Sequence, residues 1–177
     1  MSEKVTIKVE RKTLHLPTIA LRGLVVFPNN LVHFEVGREK SIAAVEWAMA
    51  NNSNVFLVAQ KSMDTTEPQQ ADLFSYGVVA EVKQVLRVSG DLVKVLVEGK
   101  YRAKLSALDA SGDFLLSEVR PAPVRAGKAD DAVETEALLR ALKAGFDEYL
   151  GMNPRLGKDV VFAIVSSDDP AFLSEYM

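Results

Sequence analysis

The sequence predicts an α+β protein: a small β-barrel lobe carrying one inserted helix, followed by a lobe of helices. Three observations predict it. Apolar and polar residues alternate with period 2 through most of the first two-thirds, as in half-buried strands. One interval, where Ile42, Val45, Ala48 and Met49 recur at helical spacing, interrupts that alternation. After a stretch punctuated by Pro and Gly at 121–127, the apolar period becomes helical and stays so. The expected divisions are therefore 1–120 for the β-rich lobe, 121–127 for a linker and 128–177 for the helical lobe.

Taken in order, Val5, Ile7 and Val9 alternate with Thr6, Lys8 and Glu10, which predicts a first strand. Leu14, Leu16 and, past Pro17, Ile19 and Leu21 make a second. The apolar run Leu24, Val25, Val26, Phe27, Pro28 reads as a strand whose rows are either both covered or partly open to solvent. His33 and Phe34 sit in another short strand. The helix lies between Gly37 and Asn51-Asn52, with Ser41 or a residue just before it as the N-cap. Residues 55–58 return to strand, and the polar, turn-rich stretch 61–71 reads as a flexible loop. Residues 79–88 and 92–98 form a hairpin across Ser89-Gly90-Asp91, and 102–108 and 114–119 flank a second turn at 109–113. Short strands at this spacing suggest a closed or nearly closed barrel rather than a parallel sheet.

In the helical lobe, Leu138, Leu142, Phe146 and Tyr149 line one face, with Leu139 and Leu150 beside it. Glu134 and Glu136 suit the start of that helix, and Gly151 to Pro154 suit its end. Residues 160–165 read as a second, largely buried helix. Asp169-Pro170 supplies an N-cap followed by proline at the first helical position. Phe172, Leu173, Tyr176 and Met177 begin an apolar stripe that reaches the last residue, so this helix is expected to be truncated.

The chemistry is sparse. The 177 residues are 48% hydrophobic and 25% charged, as in ordinary globular domains, and cysteine is absent, which excludes disulfides and thiolate metal sites. A net charge of −3 with no basic stripe argues against nucleic acid. No apolar stretch approaches the roughly 20 residues a membrane helix needs, and the N-terminus lacks a signal-peptide core, so a cytoplasmic location away from membranes is expected. There is no phosphate-binding loop; Gly99-Lys100, Gly127-Lys128 and Gly157-Lys158 read as turns. There is no nucleophile elbow. His15 and His33 are far apart and read as exposed strand residues; Asp130-Asp131 and Asp168-Asp169 each precede a helical pattern and read as caps. No catalytic residue, metal site or cofactor is expected in this chain.

Five segments carry more than a fold class: LPTIALRGLVVFP at 16–28, VGREKS at 36–41, FLVAQK at 56–61, YGVVA at 76–80 and KVLVEGKYRA at 94–103. In order and spacing they resemble the N-terminal domain of Lon-type ATP-dependent proteases. The resemblance implies a PUA-like β lobe followed by helices. It further implies a domain that recognises unfolded, damaged or degron-bearing proteins and helps a homohexameric parent assemble. The ATP, Mg and Ser–Lys dyad of such a parent belong to modules absent here. Pro17, Pro28, Gly23, Gly37, Gly77 and Gly99 suit bends and close backbone approach, and Arg22, Arg38 and Arg102 suit fork-shaped bonds that hold loops. Leu24, Val26, Phe27 and Pro28 are the candidate polypeptide-binding residues. Two rivals are a nucleic-acid-binding PUA-like module and a stand-alone protein holding a small ligand in a barrel groove.

Overall fold

The computed structural model describes residues 13–89, 92–122 and 132–177. The chain divides into two compact units, residues 1–123 and 124–177. The first holds β1 (Leu14–Leu21), β2 (Leu31–Val36), α1 (Glu39–Ala50), β3 (Asn54–Ala59), β4 (Tyr76–Ser89), β5 (Leu92–Asp109) and β6 (Leu115–Pro121). The expected strand at 5–9, the hairpin residues Gly90 and Asp91, and the pair Asp130-Asp131 lie outside the described residues. So does the expected linker from residue 123 onward. Its first residue, Pro121, belongs to β6, opposite Ala103.

The strands bond in the order β2-β5-β4-β3-β1-β6, and β6 pairs again with β5. Five strands therefore close into a ring, with β2 laid along the first half of β5 outside it. The pairings are antiparallel except β1 with β3, where Thr18 to Leu21 face Phe56 to Ala59. A parallel neighbour needs a long crossover, and β2 with α1 supplies it. β5 runs unbroken for 18 residues, where the sequence predicted two strands. Gly99-Lys100, expected as a turn, lies inside it. Register shifts at Val79/Ala80, Val82/Gln84 and Leu105/Ala107 provide the bending that a turn would otherwise give.

Period 2 sorts the side chains into two cores. Ile19 and Leu21 of β1, Val55 and Leu57 of β3, Val93, Val95 and Val97 of β5 pack with Ala44, Val45 and Ala48 of α1. The intervening residues, Leu16, Ala20, Phe56, Val58, Val79, Leu105 and Val119, form the other. Because both faces of β1 are covered, its last six residues are all buried. The buried hydroxyls of Thr18 and Ser117 satisfy each other at 2.6 Å. The helix is capped differently from the expectation. Its N-cap is Arg38, whose side chain makes no capping bond, while Ser41 is buried within the first turn.

On β4 and β5, Glu81 and Glu98 stand directly opposite each other, a repulsive placement. Lys83 and Lys100 each bridge both carboxylates at 2.8 Å and neutralise it.

The second unit holds α2 (Ala132–Met152), α3 (Lys158–Ser166) and α4 (Pro170–Tyr176). Phe146, Ile164 and Leu173 form its buried centre, with Leu139 and Leu150 packed against it. The buried line of α2 is thus 139, 146, 150; Leu138, Leu142 and Tyr149, expected on one face with Phe146, are exposed. Both lines are apolar, and contact rather than period selects between them. α3 is amphipathic rather than largely buried, with Phe162 and Val165 exposed. The side chain of Asp169 accepts from the Ala171 N–H at 2.9 Å and caps α4, while Asp168 pairs with Lys143 at 2.6 Å. No helix among the described residues is long and apolar enough to cross a membrane.

Candidate functional site

The run 24–28 is not a strand. Between β1 and β2 the chain forms an irregular loop, 22–30, whose geometry is set by backbone rather than by pairing. Gly23 (φ 62°) and Asn29 (φ 63°) are left-handed, a region glycine and asparagine tolerate. The Asn29 N–H donates to the Gly99 carbonyl at 2.9 Å, and the Gly99 N–H donates to that of Asn30 at 3.0 Å. A Cβ on Gly99 would lie 2.3 Å from the Phe27 carbonyl oxygen, so only glycine lets the loop sit this close to β5.

This loop alternates without being a strand. Val26 and Pro28 are buried, Val26 inside the core beside α1, while Val25 is 59% and Phe27 39% exposed. The exposed pair borders a hollow of about 520 Å³, whose other walls are Leu57, Ala59 and residues 74–78. Phe74 and Tyr76, each more than half exposed, stand on that second wall. Gly77 brings it close to the sheet, since a Cβ there would meet the Leu57 carbonyl at 2.3 Å and the Phe56 ring at 2.7 Å. The guanidinium of Arg102 lies over the Phe27 ring, 5.7 Å from its centroid, and is the one charged side chain among the described residues that line the hollow. Met63, 65% exposed, adjoins Gly23 at the same loop. Large apolar side chains around a concave opening are suited to holding apolar groups from another molecule.

Of the four predicted binding residues, Phe27 borders the hollow with its ring exposed. Val26 lines the inner wall but belongs to the core, Leu24 is half-buried and faces a different hollow, and Pro28 is buried. Val25, from the same apolar run, borders the hollow as well, whereas Phe74 and Tyr76 lie outside every segment the sequence singled out for binding. The aromatic pair in Phe74-Ser75-Tyr76, directly after a polar stretch, was the available signal.

The remaining motif residues hold this scaffold. Pro17 is buried in β1 opposite Leu116. Arg38 donates to the Ala20 carbonyl (3.3 Å), to Gln60 Oε1 and to the Thr65 carbonyl (3.4 Å). Arg22 and Gln60 reach the same Thr65 carbonyl at 3.1 and 3.0 Å. Three donors on one oxygen pin the stretch 61–71, which is tied rather than loose. Gln70 fastens its far end by filling the β5 bulge, donating to the Ser106 carbonyl and accepting from the Leu108 N–H, both at 3.2 Å. Burial and the charge of Arg22 lower the pKa of Arg38. At Gly37 a Cβ would make only ordinary contact with Leu92, so space does not demand glycine there. His15 and His33 are both exposed, and no group of three His, Asp or Glu converges among the described residues.

A sequence model of the substrate-binding domain of ATP-dependent protease La (Lon) matches residues 15–177. The Lon protease of Desulforamulus reducens is 37% identical over 160 residues, covering 90% of this chain and 19% of that protein. For the Lon protease of Escherichia coli K12 the identity is 38% over 162 residues, covering 92% of this chain and 20% of that one. The chain thus spans about a fifth of the length of these curated relatives. Among solved structures, the N-terminal domain of Mycobacterium avium complex Lon protease shares the fold, with a TM-score of 0.68 at 20% identity over 92% of this chain and 80% of that one. A Lon N-terminal domain protein from Xanthomonas campestris gives a TM-score of 0.51 at 14% identity, covering 89% and 92% of the two chains. With its β lobe, its helices and its unbroken match from residue 15 to 177, the chain belongs to the family of Lon substrate-binding domains.

Proposed function

We propose that this chain captures unfolded or damaged polypeptide by its apolar side chains and delivers it to an ATP-powered serine protease. It is itself non-catalytic; the ATP, the Mg and the peptidase residues belong to the rest of such a protease. Its other partners are neighbouring subunits of a homohexameric ring, and its location is cytoplasmic. The observation that carries this reading is the hollow bordered by Val25, Phe27, Phe74 and Tyr76, large apolar side chains left partly in water. Folded proteins bury such side chains, and unfolded ones offer them, so the groove discriminates between the two.

Binding is weak, because ordering a flexible chain costs about 2–5 kcal/mol of the gross interaction energy. A dissociation constant on the order of tens to hundreds of micromolar follows, about −5 to −6 kcal/mol. The test is an NMR titration of the labelled chain with a reduced, unfolded protein and with the same protein folded. Shifts should appear at the amides of Phe27, Gly77 and Val78 with the unfolded form alone. Replacing both Phe74 and Tyr76 by Ser should weaken binding by about tenfold or more while the unfolding midpoint holds, since exposed aromatics anchor interfaces. Absence of shifts at millimolar ligand, or equal shifts with the folded form, sinks the reading.

A further inference from the structure

A second hollow, of about 380 Å³, shares Leu21 with the groove, and loop 22–30 contributes Leu24 to it. Its polar lining is unusual. Arg22 and Arg38 both face it, close enough for each guanidinium to feel the other's charge, and among the described residues both donate only to neutral oxygens. Arg22 uses one bond, to the Thr65 carbonyl, so most of its five N–H donors are uncommitted. Ser41 is 5% exposed, yet its hydroxyl has no hydrogen-bond partner among the described residues and it lines the hollow. No side-chain oxygen or nitrogen among the described residues is both buried and unpartnered, so this hydroxyl meets solvent in the hollow and is free to bond an entering group. Glu35 is the one carboxylate among the lining residues; it is exposed and stands opposite Lys94 of β5.

Two guanidiniums and a free hydroxyl lining one hollow suit an oxyanion. We propose that this hollow takes a carboxylate of the bound polypeptide, so that the chain prefers apolar segments flanked by an acidic group. This rests on the groove reading above and names its substrate class. An anion between Arg22 and Arg38 relieves their mutual repulsion and gives Ser41 an acceptor. The carboxylate comes from an Asp or Glu side chain or from a chain terminus, and both carry the same forked pair of oxygens that guanidinium matches.

The experiment uses one short peptide bearing two aromatic residues, with Asp or Asn beside them and with a free or amidated C-terminus. Fluorescence anisotropy gives its affinity for the wild-type chain and for Arg22→Gln, Arg22→Lys and Ser41→Ala. Asp should bind about tenfold tighter than Asn, as charge-assisted bonds at a partly exposed site give, with the margin narrowing at high salt. If the terminus is the source, the free acid rather than the side chain carries that margin. Arg22→Gln should abolish the margin, Arg22→Lys restore part of it, and Ser41→Ala shrink it. Arg22 is exposed and makes a single bond, so these variants fold; matching unfolding midpoints check it. Equal binding of all acidic and neutral forms to wild type, or a margin that survives Arg22→Gln, overturns the carboxylate site and leaves the groove standing. No binding of any form overturns both.

Discussion

Two loops, 22–30 and 61–71, which meet where Met63 lies beside Gly23, invert the usual expectation about loops. Loop 22–30 is apolar and was expected to pair as a strand; stretch 61–71 is polar and was expected to be loose. Neither expectation holds. The apolar loop pairs with no strand along its length and is fixed by two backbone bonds to Gly99 and by burying Val26. The polar one is fixed by three donors converging on the Thr65 carbonyl. What orders a loop is where its backbone groups find partners, and hydropathy is silent on that. Hydropathy decides only what each loop then shows to solvent.

The comparison is most sharply broken at Gly99. Gly99→Ala places a Cβ against the Phe27 carbonyl and should cost about 2–4 kcal/mol in urea unfolding, in the range of strained backbone sites. An unchanged midpoint would mean that close approach does not hold the apolar loop. Val26→Ser removes buried methyls and adds a hydroxyl in the core, and should cost about 1–3 kcal/mol. If it instead left stability intact and weakened polypeptide binding, Val26 would belong to the binding surface and not to the core. Arg38→Gln removes the central donor of the polar clamp and should cost about 1–2 kcal/mol. Hydrogen exchange should then quicken across 61–71 and leave 22–30 unchanged; quickening in both would show that the loops are one cooperative unit.

The smallest effect concerns Glu98 and Lys100, which flank Gly99. Hydrogen bonds from Lys100 and Lys83 hold the Glu98 carboxyl down at about 2, below its ordinary 4.5. A pKa lowered in the folded state gives stability that is present above the ordinary value and lost as pH falls from 4.5 toward 2. Lys100→Met should raise the Glu98 midpoint and shrink that acid-side loss, read by carbon-detected NMR titration. A midpoint that stays put would remove Lys100 from the support of the loop anchor.

What was legible in the sequence was local. Alternation placed β1 and the first half of β5, turn signals framed β4 and β6, helical spacing placed α1, and Asp169-Pro170 announced the start of α4. What was not legible depended on partners far along the chain. Leu24 to Pro28 is an apolar run of strand length, but pairing needs a neighbour, and the sequence cannot display one. Gly99 was recognisable as glycine for close approach, yet that Phe27 is what approaches it is a fact of the fold. Phe74 and Tyr76 look like core aromatics, but among the described residues each is left more than half exposed. On α2, Leu138 and Leu139 are equal candidates for burial, and only the positions of Ile164 and Leu173 decide.

The pairing of β6 back onto β5 has a consequence for the company this chain keeps. An unfolded polypeptide is sticky along its backbone as well as its side chains, and any sheet margin with unpaired N–H and C=O groups invites it to add a strand and seed aggregates. By closing on itself, the sheet removes most such margins. β2 retains one, and the residues alternating along its more open face include His33 and Glu35, polar groups that discourage stacking. On the proposed function, a domain built this way would hold misfolded chains by their side chains and release them, without becoming the template on which they assemble.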